Sequence, residues 1–267
     1  VKQIICINWG VKYGPVFINR LYSMVARNIT PPFRLVCFSD DFSGIRSEVE
    51  CHPLPDIGFD VPVTTRGIWQ KCRLWNPTLA DLNGPVLFLD LDLVVTGNLD
   101  GFFEFGSPDD VILASNPSNP LERLGQTSVY RFPVGTLTLL LERFRQSPLE
   151  VAEKYRFEQR YVTRMAPGGV RFWPKGWVRH FRRECRRPFP LNYFQEPRLP
   201  RDARIVIFPG GLHPGDAIRG VYRSSDPVRS PLEHILAGLK GERKTGLIKH
   251  LRYYILACSW VGQHWRD

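Results

Sequence analysis

The sequence predicts an α/β fold, a mostly parallel sheet flanked by helices within one domain, and three observations carry that prediction. Strand and helix patterns alternate through the first half of the 267 residues, the arrangement that builds parallel sheets through right-handed crossovers. The run from Pro85 to Val95 is apolar at positions that would face both sides of a sheet, as a strand buried between helical layers requires. Hydrophobic residues make up 43% of the chain, enough for a sizeable core, yet no apolar run reaches the eighteen or so residues of a membrane span.

The elements follow in order. Residues 4–7 open as a short apolar strand. Asn8-Trp9-Gly10 is a loop, and Pro15 suits a first helical turn, where its missing N–H would have no partner anyway. Val16, Ile18, Leu21, Tyr22 and Val25 then recur at helical spacing to about Arg27. Residues 33–38 form a second strand ending in Ser39-Asp40-Asp41, and 48–54 a third, closed by Pro53 and Pro55. A helix over 67–75 stops at Asn76-Pro77. Residues 86–95 read as the most buried strand, and 111–115 as another.

From about Asn116 the pattern loosens into a loop-rich region. It holds a strand over 127–132, a helix over 136–144, a second helix over 148–165, and a Trp/Arg/Pro-rich stretch over 173–200. A last strand at 205–208 runs into a Gly/Pro-rich loop carrying His213 and Asp216. The expected organisation is a main domain over 1–220 with a basic, amphipathic helical extension over 221–267 packed on it. In that extension Leu247, Ile248, Leu251, Tyr254, Ile255 and Cys258 make one helical stripe, with Lys244, Lys249 and Arg252 off it. Such a C-terminal helix docks on the core, or lies on an anionic membrane as a peripheral contact.

Net charge is +10, and it is concentrated: between Arg143 and Arg187 thirteen Lys/Arg face four Glu, a local +9. An anionic partner fits this stretch, and so does a solvated basic face. No nucleic-acid-binding motif accompanies it, so no nucleic acid is expected. The six cysteines are scattered without a CxxC pair, the pattern of free thiols in a reducing compartment. With no leader pattern at the start, a cytoplasmic location is expected, resting at most on the inner face of a membrane.

Asp90 and Asp92 are the chemically informative residues. Carboxylates are expelled from cores unless paired, so two in one apolar run mark a strand end that meets a cation or a catalytic need. Residues i and i+2 of a strand share a side, which would make them joint ligands for Mg²⁺ or Mn²⁺, or a nucleophile with a companion acid. Asn8-Trp9-Gly10 and Ser39-Asp40 fall at neighbouring strand ends, where open α/β sheets bind ligands.

Asp90-Leu91-Asp92, with the helix from Arg66 to Trp75 before it, Gly97-Asn98-Leu99-Asp100 after it and the late His213, resembles the DxD motif and surroundings of GT-A-fold glycosyltransferases. It is similar in particular to glycosyltransferase family 8 and related bacterial enzymes of surface-polysaccharide assembly, over most of residues 1–220. The resemblance implies a metal-dependent glycosyltransferase with a nucleotide-sugar donor, UDP-linked as the first guess, a glycan or glycolipid acceptor, and retention of anomeric configuration; the basic region around Arg164–Arg187 could contact an anionic acceptor.

It also implies roles. Asp90, Asp92 and His213 would hold Mn²⁺ or Mg²⁺, the imidazole favouring Mn²⁺. Asn8, Trp9, Asp40, Arg66, Lys71, Asp90 and Leu91 would meet the nucleotide. Glu158 and Gln159 match the family's acidic-Gln motif, although Arg160 stands where a further acid is expected. Thr127-Ser128-Val129-Tyr130 aligns loosely with the family's sugar-contacting strand. Glu158 or Asp216 would be the base if transfer inverted. Downstream of His213 the family's Lys-Pro-Trp run is absent, with Gly215-Asp216-Ala217 in its place. The alternatives are a haloacid-dehalogenase-type phosphohydrolase with Asp90 as nucleophile, and a non-catalytic sugar-binding module.

Overall fold

The computed structural model describes residues 1–62, 67–118 and 122–267. Its strands are β1 (Lys2–Asn8), β2 (Phe33–Ser39), β3 (Glu50–Pro53), β4 (Pro85–Leu89), β5 (Leu93–Val95), β6 (Ile112–Ser115), β7 (Gly125–Pro133), β8 (Arg171–Phe172), β9 (Val178–His180) and β10 (Ile205–Ile207). Its α-helices are α1 (Pro15–Asn28), α2 (Gly101–Glu104), α3 (Thr138–Gln146), α4 (Pro148–Tyr155), α5 (Glu158–Met165), α6 (Pro214–Arg219), α7 (Pro231–Leu239), α8 (Leu247–Arg252) and α9 (Ser259–His264). Contacts divide the chain into two compact units, one of Val1–Leu91 and Asn98–Lys175, the other of Asp92–Gly97 and Gly176–Asp267.

The first unit is built on a seven-stranded sheet in the order β3-β2-β1-β4-β7-β6-β8. β1 pairs in parallel with β2 and with β4, and β2 with β3. β7 runs antiparallel to both β4 and β6, and β8 is parallel to β6. Ile4, Ile5, Cys6 and Ile7 of β1 are buried opposite Leu35, Val36, Cys37 and Phe38 of β2, so the register follows from matching two apolar runs. β4 is buried from Val86 to Leu89. A core of aromatic side chains covers one face, where Trp69 stacks on Phe144 at 4.8 Å and Trp75 lies 5.7 Å from Tyr161.

The second unit holds a three-stranded sheet in the order β5-β10-β9, β10 antiparallel to β5 and parallel to β9. Four short helices follow it. α6 ends at Gly220, whose φ of +75° is left-handed and whose added Cβ would lie 2.8 Å from the Ala257 backbone nitrogen. Gly220→Ala is therefore expected to cost about 2 kcal/mol or more, from left-handed strain and backbone overlap together. An unchanged urea midpoint for this variant would contradict that account. α7 begins with a capping box, Ser230 Oγ accepting from Glu233 N at 3.3 Å and Glu233 Oε2 accepting from Ser230 N at 2.7 Å. Among the described residues no helix is long and apolar enough to cross a membrane.

Three expectations change. The strand expected over 86–95 is two strands in two different sheets, with a turn at Leu91 and Asp92 between them. A continuous apolar run fits one buried strand or two equally well, so the pattern could not place the break. The helix expected over 148–165 is interrupted by Arg156, which takes a left-handed φ of +64° before α5 restarts at Glu158. The stripe from Leu247 to Cys258 is not one helix either. α8 stops at Arg252, and Tyr254, Ile255 and Cys258 are buried from a non-helical segment held by bonds such as Cys258 N to the Ala217 carbonyl at 2.9 Å. All six cysteines are free thiols, five of them buried.

Candidate functional site

The order of the first sheet places a crossover reversal between β1 and β4: the chain winds from β1 outward to β3, then returns to the other side of β1. Crevices at the carboxyl ends of strands flanking such a reversal are where open α/β sheets bind ligands. The residues standing there are Asn8 at the end of β1, Ser39 and Asp40 at the end of β2, and Asp90 immediately after β4.

At β1 and β2, register pairs Asn8 with Ser39. Asn8 is buried, and its Nδ2 donates to Ser39 Oγ at 3.2 Å while its Oδ1 has no hydrogen-bond partner among the described residues. An orphaned amide oxygen in a buried position costs stability, and a donor arriving from a ligand would offset that cost. Asp40 is exposed and accepts from Gly10 N at 2.8 Å, tying the loop after β1 to the end of β2. Trp9 is half-buried against the aromatic core. The sequence offered no motif for Ser39; its position beside Asn8 emerges only from the pairing.

At β4, Asp90 N donates to the Ser128 carbonyl at 2.9 Å, which anchors the turn to β7. Its Oδ1 meets Lys71 Nζ at 2.7 Å. Lys71 lies on the 3-10 turn Trp69–Trp75 and is buried at 3% exposure. Its ammonium also donates to the Thr127 carbonyl at 3.3 Å and sits 4.9 Å from the Phe88 ring centroid. Burying an ammonium demands such a set of partners. Lys71 thus reaches the strand-end carboxylate itself. Arg66, the other cation assigned to a diphosphate, lies outside the described residues.

Thr127 links this pair to the acceptor-side motif. Its backbone carbonyl meets Lys71, and its hydroxyl donates to Glu158 Oε1 at 2.5 Å. Glu158 opens α5 and is 5% exposed, a carboxylate suited to a helix N-terminus. Gln159 is half-buried on the same helix, and among the described residues its side chain accepts and donates no hydrogen bond. Arg160 pairs with Glu122 at 3.0 Å. Burial pushes the Tyr130 phenol well above its ordinary range, with the Glu158 and Asp90 carboxylates pushing the same way. Beneath the site, Arg131 of β7 is 1% exposed and donates to the carbonyls of Phe102, Phe103 and Ser107 at 2.9, 3.2 and 2.6 Å. Thr127 fell within the aligned strand 127–130, whereas Arg131 carried no motif; a lone Arg in an apolar strand pattern was its one available hint.

In the second unit, Asp92 precedes β5, and its Oδ2 lies 3.7 Å from His213 Nδ1, with each side chain about one-fifth to one-quarter exposed at 20% and 25%. That separation is too long for a hydrogen bond. It is short enough for one cation, because two donors each about 2.1 Å from a metal lie at most about 4.2 Å apart. Among the described residues no three His, Cys, Asp or Glu side chains gather into a metal-holding group. Leu91, between the aspartates, is buried at 3%.

Both carboxylate oxygens of Asp216 accept hydrogen bonds. His213 N and Ser224 Oγ donate to Oδ2 at 3.0 and 2.5 Å, and Arg219 Nη2 meets Oδ1 at 2.6 Å. Burial pushes this carboxyl up, but the three donors outweigh it and hold it below the ordinary range. A depressed carboxyl contributes stability that is present above its unfolded value and disappears as pH falls through the folded one. Asp216→Asn is thus expected to lower unfolding stability at pH 7 by about 1–2 kcal/mol. The gap from the parent protein closes below about pH 4; urea titrations at both values check it, and an equal gap at both would refute it.

No protein-family model matches the sequence, and no curated protein matches it. Solved structures do. The chain is similar to the galactosyltransferase LgtC, a structure in complex with donor and acceptor sugar analogs, with a TM-score of 0.56 at 12% identity, covering 91% of this chain and 96% of that one. This is the GT-A fold. The glycosyltransferase GlyE of Streptococcus pneumoniae TIGR4 superposes with a TM-score of 0.57 at 13% identity over 94% of this chain and 63% of its own. The bifunctional glycosyltransferase WbbM gives 0.55 at 12% identity, over 80% of this chain and 46% of its own. In this GT-A fold the carboxyl ends of β1, β2 and β4 carry the polar network just described.

Proposed function

We propose that the protein is a glycosyltransferase that moves a sugar from a nucleotide-sugar donor to a glycan or glycolipid acceptor. The observation that carries this reading is the strand-end cluster of Asn8, Ser39, Asp40 and the Lys71–Asp90 pair at the crossover reversal of a GT-A sheet. The likeness to solved sugar-transfer enzymes supports it.

Asn8 and Asp40 stand where a base and ribose are recognised, Asn8 through its unpartnered amide oxygen and Asp40 as an exposed acceptor. Uridine is the first base to test. Lys71 holds the Asp90 carboxylate in one orientation. Asp92 and His213 would hold a divalent cation, and a carboxylate with an imidazole suits Mn²⁺ over Mg²⁺. When bound, that cation neutralises charge on the diphosphate leaving group.

Retention of configuration is the stereochemistry we assign. An inverting enzyme needs a carboxylate placed to take the acceptor proton, and both candidates are buried, Asp216 with both oxygens accepting hydrogen bonds and Glu158 with Oε1 held by Thr127. Gln159 presents an amide uncommitted among the described residues beside Glu158. The basic stretch containing Arg164 fits an anionic acceptor.

A thermal-shift panel of UDP, GDP, CDP and ADP, each with and without Mn²⁺, tests the donor site, because a ligand specific for the native state raises stability as RT ln(1 + [L]/Kd). One nucleotide is expected to stabilise only with metal. No shift with any nucleotide, alongside stabilisation by Mg²⁺ with beryllium fluoride, would overturn the proposal in favour of phosphohydrolase chemistry at Asp90.

A further inference from the structure

Away from the strand-end cluster, the second unit concentrates positive charge on two stacked tyrosines. The rings of Tyr222 and Tyr253 lie 4.3 Å apart and nearly parallel, at 9°. Arg182 and Arg186 approach the Tyr222 ring at 4.8 and 4.9 Å. Arg223 and Lys249 approach Tyr253 at 5.6 and 5.8 Å, and Arg186 reaches it at 5.9 Å. Ring faces attract cations, but they supply no counter-charge and accept no strong hydrogen bond.

Several carboxylates of this unit have partners of their own, and two of them, Asp226 and Glu242, stand in the wall of the cavity described below. Glu184 and Asp202 pair with Arg179, Asp216 with Arg219, and Glu242 with Arg229. Asp226 accepts from the Arg223 backbone nitrogen, Glu233 caps α7, and Glu196 accepts from Ser259. Arg186 Nε is buried without a hydrogen-bond partner among the described residues. Burial, with the charges of Arg182 and Arg183 beside it, pushes the Arg186 guanidinium below its ordinary range, against the pull of the two tyrosines.

Tyr222, Tyr253 and Arg223 line a cavity of about 220 Å³, whose wall also holds Lys244, Arg243, Asp226 and the Arg229–Glu242 pair. We propose that this cavity is a binding site for a phosphate ester or diphosphate, with Arg223 and Lys244 donating to its oxygens and the Arg182–Arg186 pair supplying the surrounding positive potential. Phosphate fits better than a lone carboxylate because it brings close to two negative charges and three acceptor oxygens to a wall where four Lys/Arg outnumber two acids. Guanidinium groups match its geometry. The phosphate belongs to a soluble compound or to a lipid headgroup, and the same chemistry recognises both.

The test is calorimetric titration of the full chain with inorganic pyrophosphate in EDTA, which leaves metal-dependent donor binding out of the reading. Sedimentation with vesicles of phosphatidylcholine, with and without phosphatidic acid, runs in parallel. The parent protein is expected to bind pyrophosphate, and the double variant Arg186→Gln/Arg223→Gln to bind it about tenfold or more weakly, the loss of a charge-assisted hydrogen bond. The variant's melting temperature should hold or rise, since like charges have been removed. Loss of phosphatidic-acid vesicle binding in the variant assigns the site to a lipid; loss of pyrophosphate binding alone assigns it to a soluble phosphate. Absence of both kinds of binding in the parent protein, equal binding in the variant, or a variant that melts well below the parent would overturn the site. None of these results depends on which nucleotide the strand-end cluster accepts.

Discussion

Replacing Lys71 by methionine is expected to destabilise the protein by about 3 kcal/mol, a fall in Tm of roughly 10 °C. Lys71 is buried, and its ammonium is the cation 2.7 Å from Asp90 Oδ1. Methionine keeps much of the side-chain length but leaves the Asp90 carboxylate, 18% exposed, facing an apolar group. Asp90→Asn alone strands the ammonium in turn. The double variant Lys71→Met/Asp90→Asn removes both charges and should recover much of the loss, because a missing pair costs less than half of one. Additive losses in the double variant would show that the two side chains do not act on each other. In the nucleotide thermal-shift assay, all three variants are expected to lose the metal-dependent response, since Asp90 is then misplaced or uncharged.

Asp92→Ala and His213→Ala are expected to abolish Mn²⁺ binding. Even partners of metal ligands cost up to about a hundredfold in metal affinity when removed, so loss of a ligand should cost more than that. Manganese binding read by electron paramagnetic resonance, with UDP present, measures it directly. His213 holds Asp216 through its backbone nitrogen, which alanine retains. Parent-like Mn²⁺ affinity in either variant would remove these residues from the metal site.

The strand ends were the part of the site most legible in the sequence. Asn8, Asp40 and Asp90 each follow an apolar run, and a run that closes on a polar residue places that residue at an edge whatever the rest of the chain does. The partners of those residues were not legible. Lys71 was expected to meet the nucleotide, yet it is buried against Asp90 and Thr127. The resemblance marked Thr127 as part of a sugar-contacting strand, but nothing in the sequence tied its hydroxyl to Glu158, 31 positions away. The tail misled for a related reason: Tyr254 and Ile255 fall at helical spacing from Leu247, but both are buried from a non-helical segment.

The sequence by itself determined the α/β class, the parallel pairing of β1 with its neighbours, the extent of α1, and the presence of carboxylates after a buried strand. Each depends on local periodicity, turn residues and the cost of burying charge, which act within a dozen residues. Only the tertiary structure decided that 86–95 divides between two sheets, that Arg156 breaks a helix without any glycine, that Lys71 neutralises Asp90, and that four cations gather on Tyr222 and Tyr253. Those outcomes are pairings between segments far apart in the chain, and which partner satisfies a buried charge or a strand edge is set by the whole fold's packing.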